Sequence, residues 1–227
     1  MESISEMCTY IPSPDEGVLA TILHQRHGRR LRQSLEKEGR NLGQMLRRWI
    51  NPRLSYTVRE ITSTEGGRIM LSDGMILESP KLARTVRGCS RLLCFIATIG
   101  PGIENAVQRF SQEYRLTDGY VLDTIGSIMI EDVVETFQDM MRKKAHMTGE
   151  GVTLRFSPGY CDWPVTEQKK LFTLVDAIRI GVTLTSSLLM TPRKSISGVF
   201  GVGADPHSLS YNPCSHCRRR DCPARRD

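Results

Sequence analysis

At 227 residues and 25.6 kDa the chain is long enough for one large domain or two small ones. Its 39% apolar and 25% charged content excludes a disordered chain, and no apolar run reaches the roughly 18 residues of a membrane-spanning helix. The net charge of +6 is local: residues 26–48 carry eight basic and two acidic side chains, and the last ten residues carry five Arg and two Asp. Basic ends suit nucleic acid or an acidic partner, and equally well a solvated helix face. With 14 aromatics in all, a stacking platform for single strands is poorly supported and nucleic acid is not an expected partner.

The opening MESISEMCTYIPSPDE has neither the basic start nor the apolar stretch of a secretory signal, so a cytoplasmic setting is expected. Residues 16–50 read as helix. Leu19, Ile22, Leu23, Leu31, Leu35, Leu42, Leu46 and Ile50 recur at helical spacing, with weak points at Gly28, Gly39 and Gly43, and Asn51-Pro52 ends the region. Residues 54–62 alternate as a strand, Gly66-Gly67 turns it, and 68–72 returns as its hairpin partner. Asp73-Gly74 turns the chain again before 75–77, and Ser79-Pro80 opens a short helix through Val86. The unbroken apolar run LLCFIATI, 92–99, reads as a buried strand, ended by Gly100-Pro101-Gly102, which launches a helix through Tyr114.

The longest helix is expected over 120–144. Leu122, Ile125, Met129, Val133, Phe137 and Met140 form an apolar stripe, widened by Ile128, Ile130, Val134 and Met141. The opposite face holds Glu131, Asp132, Glu135, Gln138 and Asp139. A short strand at 152–155, a loop at 156–163, a helix at 164–178 begun by Pro164 and Glu167, and strands at 182–185 and 195–202 complete the reading. The intermingled pattern lacks a regular βαβ rhythm. It points to an α+β fold with a mixed, largely antiparallel sheet and flanking helices. Three regions follow: an N-terminal helical region at 1–50, a core at 51–203, and a Cys- and Arg-rich tail at 204–227.

Three groups of residues carry candidate chemistry. In Arg155-Phe156-Ser157-Pro158-Gly159-Tyr160 an Arg leaves a strand with a fixed guanidinium fork, suited to carboxylate or phosphate, followed by a tight turn and an amphipathic ring. By composition alone it is also a strand end, a turn and a capping Tyr. The small residues Ser195, Ser197, Gly198, Gly201 and Gly203 allow close backbone approach, by a ligand or by packed chain.

The tail holds Cys214, Cys217 and Cys222 within nine residues, beside His216 and a run of Arg. Seven cysteines in a chain without a signal argue against a disulfide framework. C-x-x-C closes a metal chelate. Cys161, beside Tyr160, is the natural further ligand, and the donors suit zinc and an iron–sulfur cluster equally well.

The Arg155–Tyr160 motif, Thr166-Glu167 and the run from Leu184-Thr185 to Ser197-Gly198 resemble, in order and spacing, the R-x-x-P-G-Y, T-E and L-T-x-S-x-x-M-x-P-x-x-S-[IV]-S-G segments of one family. It is the activation domain of cobalamin-dependent methionine synthase and its stand-alone relatives. Ile130 to Phe137, IEDVVETF, is similar to that family's A-D-R-L-A-E-A-F helix, so the resemblance spans about residues 117–203. It implies a methionine synthase activation domain-like fold that binds S-adenosylmethionine and docks on a corrinoid-binding protein or methyltransferase. An electron donor protein would reduce oxidised cobalt on that partner, and S-adenosylmethionine would trap the reduced metal as methylcobalamin. The family's ligand contacts fall on Arg155, Tyr160 and Glu135. From residue chemistry alone, Glu135 reads first as a solvated helix position. The family's domain lacks the cysteine tail, where a redox centre would let the chain deliver the electron itself. Two other readings stay open: an iron–sulfur electron-transfer reactivase of corrinoid proteins, and a zinc-stabilised nucleic-acid-binding protein.

Overall fold

The computed structural model describes residues 5–8, 26–37, 39, 41–203, 211, 212, 214 and 215. Its centre is an antiparallel sheet. Strand β2 (Arg53–Ser63) pairs along one edge with β5 (Arg91–Thr98), and β5 pairs in turn with β8 (Ser195–Val202). The other edge of β2 is shared. Its first half meets β1 (Ser5–Cys8), and its end meets β3 (Arg68–Leu71), which continues to β4 (Ile76–Glu78). All described pairings in this sheet are antiparallel. The register shifts between Ile61 and Ser63, so the β2–β3–β4 end curls away from the central strands. Two short strands, β6 (Thr183–Leu184) and β7 (Met190–Thr191), form a separate hairpin.

The unbroken apolar run in β5 exists because both of its faces are covered. Leu93, Phe95 and Ala97 join one core cluster, while Leu92, Cys94 and Ile96 join another. Over the first face lie α1 (Arg26–Lys37), α2 (Leu42–Trp49), α4 (Gly102–Gln112) and the long α5 (Leu116–His146). Tyr56, Phe95, Phe137 and Phe200 meet there with ring centroids 5.2–6.0 Å apart. Over the second face lie α3 (Pro80–Thr85), the 156–163 loop, α6 (Gln168–Leu174) and the two short 3₁₀ turns around it, Val165–Glu167 and Ile178–Ile180.

Several expected elements are redrawn. The helical reading of 16–50 divides at Gly39, whose φ of +69° ends α1, and Asn41 caps α2 by accepting from the Gln44 amide. Residues 16–25 lie outside the described residues. Helix α5 begins before Tyr120 and runs 31 residues. Met140 leaves the stripe: it is exposed, and Met141 takes the inward position. A seven-residue step from Val133 to Met140 falls about 20° short of two full turns, and the buried face at this end of the helix runs through Val134, Phe137, Met141 and Ala145 instead. Residues 152–155 form no strand; Val152 and Phe156 make single bridges to Val202 and Val199 at the open edge of β8. The 164–178 helix is broken. Pro164 stands in extended geometry before the first 3₁₀ turn, and α6 ends at Leu174.

Glu167 does sit in the first turn, of the 3₁₀ segment Val165–Glu167. It is buried, accepts from the Glu78 amide at 3.0 Å, and meets Lys170 Nζ at 2.6 Å.

Candidate functional site

The site is built where the 152–163 segment is clamped between α5 and β8. On the β8 side, glycine makes the approach possible. A Cβ at Gly198 would stand 2.9 Å from the Phe156 carbonyl oxygen, and one at Gly201 would stand 2.6 Å from Cys89 Sγ. The small-residue run therefore holds packed chain rather than open space. On the α5 side, buried Gln138 donates Nε2–H to the Thr153 carbonyl oxygen at 2.9 Å. Thr153 Oγ1 in turn accepts from the Gly201 amide at 2.9 Å.

These bonds aim Arg155 at α5. Its side chain is 7% exposed, and its Nη2 lies 2.6 Å from Glu131 Oε2, on a carboxylate that is 57% exposed. Glu135 follows Glu131 by four residues, hence on the same helix face, and is exposed. The arrangement is a nearly buried cation paired with one solvated anion, a dipole at the surface, with a second exposed carboxylate one turn along the helix.

The following turn is rigid. The Gly159 amide donates to the Trp163 carbonyl oxygen at 2.8 Å, with Gly159 at φ +89°, where a side chain would be strained. Asp162 accepts from Ser79 Oγ at 2.6 Å and from the Lys81 amide at 3.0 Å, tying the loop to the start of α3. Trp163 is buried against Phe156, with ring centroids 6.1 Å apart. Between these anchors Tyr160 stands half exposed on the loop. Of the three expected ligand contacts, Arg155 pairs with Glu131, Glu135 stands one helical turn further along the same face, and Tyr160 is carried on the turn after Arg155.

Sequence reasoning missed two parts of this assembly. One is the Arg155–Glu131 pair, whose 24-residue separation follows no local spacing rule. The other is Lys194, which is buried, with Nζ 2.8 Å from both Ser127 Oγ and Asp123 Oδ1 on α5. Gly126 leaves room for its stem, since a Cβ there would lie 3.1 Å from Lys194 Cε. A Lys within the 184–198 motif was the available signal for it.

For the metal reading, Cys161 is exposed and Cys214 half-buried, while Cys217 and Cys222 lie outside the described residues. Among the described residues no group of three or more His, Cys, Asp or Glu converges to hold an ion. No helix among them is long and apolar enough to cross a membrane.

The family model "Vitamin B12 dependent methionine synthase, activation domain" matches residues 84–222, beginning well before the resembling span at 117 and reaching into the tail. A solved structure described as "Crystal Structure of the MetH Reactivation Domain bound to AdoHcy" superposes with a TM-score of 0.52 at 17% identity. The alignment covers 93% of this chain and 81% of that one. The likeness extends the α+β fold across the N-terminal elements that the family model does not reach. No curated protein sequence matches the chain.

Proposed function

The chain belongs to the family of vitamin B12-dependent methionine synthase activation domains, and from that premise we propose that it binds S-adenosylmethionine at the Arg155–Glu131 surface and supports reductive remethylation of a cobalamin held by a partner protein. The observation that carries this reading is the ion pair itself. S-adenosylmethionine ends in an amino-acid zwitterion, and a guanidinium 2.6 Å from a carboxylate is the complementary dipole. The ligand carboxylate takes the Arg155 fork, and the ammonium and sulfonium take Glu131 and Glu135. Tyr160 supplies a ring beside them. The solved structural neighbour at 17% identity is described with AdoHcy bound, which supports the same ligand class.

The chemistry asks little of the chain beyond binding and orientation. One electron from a separate donor reduces cobalt(II) to cobalt(I) on the partner. The methyl group then passes from sulfur to cobalt, and S-adenosylhomocysteine leaves. Arg155 and Tyr160 fix the methyl donor, and a docked corrinoid protein or methyltransferase brings the metal to it. The test is spectroscopic. The partner's cobalt(II) corrinoid, a one-electron donor and S-adenosylmethionine should give methylated corrinoid with the wild-type chain, and much less with Arg155→Ala. Equal yields with and without the chain would refute the proposal.

The tail supports a second reading, a metal centre on Cys214, Cys217 and Cys222 with Cys161 as a possible further ligand. Arg84 of α3 stacks on the Tyr211 ring at 5.3 Å, and Asp162, next to Cys161, caps the same helix, so both cysteine-bearing segments anchor on α3. Zinc would brace the loop, whereas an iron–sulfur cluster would give a path for the electron. Metal analysis of anaerobically purified protein and of Cys217→Ser decides: near-stoichiometric zinc or iron, lost in the variant, supports a centre, and neither metal refutes it.

A further inference from the structure

Between α3 and the β2–β3 turn lies a cleft of about 790 Å³, walled by Gly66, Gly67, Lys81, Arg84, Arg87 and Tyr211. That size suits one small organic ligand. Three of its lining side chains are cations, against one carboxylate, Glu65. The Arg84 guanidinium lies 5.3 Å from the Tyr211 ring centroid, so a charge and an aromatic surface are held together at the wall. Two glycines of the β2–β3 turn contribute backbone to the lining. Gly66 and Gly67 take φ of +62° and +75°, and a Cβ on Gly67 would stand 3.0 Å from Pro80 Cγ, so the turn closes directly on α3. The helix start adds no attraction for an anion, since Ser79 already caps the Leu82 amide and Asp162 the Lys81 amide. The positive charge comes from the side chains.

We infer that this cleft binds an organic phosphate of nucleotide size, with its phosphates on Arg84, Arg87 and Lys81 and its ring against Tyr211. Guanidinium forks match phosphate oxygens in pairs, and lysine adds a point charge. S-adenosylmethionine is a poor occupant, because its sulfonium would face three cations and it carries no phosphate. The inference therefore stands apart from the proposal for Arg155. An acidic peptide would use the charges but leave the ring unused.

The test is calorimetry on the full chain with ADP, adenosine, inorganic phosphate and an Asp/Glu-rich peptide. ADP should bind saturably and at least about tenfold more tightly than adenosine, phosphate or peptide. Arg84→Ala and Tyr211→Ala, at surface positions, should each weaken ADP about tenfold while leaving the melting temperature in place. Arg155→Ala should leave ADP binding unchanged. Absence of saturable ADP binding, equal binding by both cleft variants, or tighter binding of the peptide would each overturn the inference.

Discussion

Arg155 keeps its side chain 93% out of water and its guanidinium on an exposed carboxylate, so the pair is cheap to open on the Glu131 side and costly on the Arg155 side. Replacing Glu135 by Ala should weaken S-adenosylmethionine severalfold without moving stability, because its side chain is solvated; binding titration and a melting curve check both halves. The cysteines separate by environment. Burial pushes the Cys94 thiol up to about 12, with Asp73 raising it further and Arg59 opposing. At pH 8 iodoacetamide should label exposed Cys161 quickly and leave Cys94 untouched until the protein unfolds, as read by peptide mass spectrometry. Glu150 is held below the usual carboxylate range by hydrogen bonds from Arg91 and then Thr148. A lowered folded pKa contributes stability above the ordinary carboxylate value, and that contribution fades as pH falls through the lowered one. The effect is small for a solvent-screened pair. Glu150→Gln should slightly flatten the acid limb of melting temperature against pH, most visibly at low salt.

Helix α5 is the element that carries both core and site. Leu122, Ile125, Met129, Val133 and Phe137 are buried on one side, and Glu131 and Glu135 stand on the other. Val133→Asp places an unpaired charge under the sheet, at a cost of at least about 1–3 kcal/mol, which is several degrees of melting temperature in a domain of this size. An unchanged melting curve would contradict the packing. Strand β8 makes the complementary demand. Gly201→Ala sets a methyl group 2.6 Å from Cys89 Sγ, and overpacking of this kind costs about 1–3 kcal/mol. Cys89→Ala in the same chain should recover part of that loss, measured by denaturant midpoint.

Across the whole molecule, what could be read from the sequence follows from how local each signal is. The apolar run of β5 and the stripe of α5 announce themselves within a few turns of chain, and the structure places them at the centre. Ser79 caps α3 as its position before Pro80 suggests. The 152–155 segment misleads because the hydrogen bonds of Thr153 go to Gln138 and Gly201, partners distant in sequence that leave no period of two. The place of Glu167 in a first turn was legible, but its bond to the Glu78 amide, 89 residues away, was not. For the site, the motif at 155–160 located the loop, but neither Glu131 as the partner of Arg155 nor the Arg84–Tyr211 cleft follows from spacing, since each joins segments folded together from far apart.

The central claim is that Arg155 and its neighbouring carboxylates form the binding surface for a zwitterionic methyl donor. Calorimetric titration of S-adenosylmethionine into the full chain, with and without a corrinoid partner, tests it most directly. The account predicts saturable binding by the wild type, weakened tenfold to hundredfold by Arg155→Ala, about the 1.5–3 kcal/mol of a charge-assisted contact. No saturable binding by the wild type even with the partner present, or identical affinity in Arg155→Ala, would contradict it.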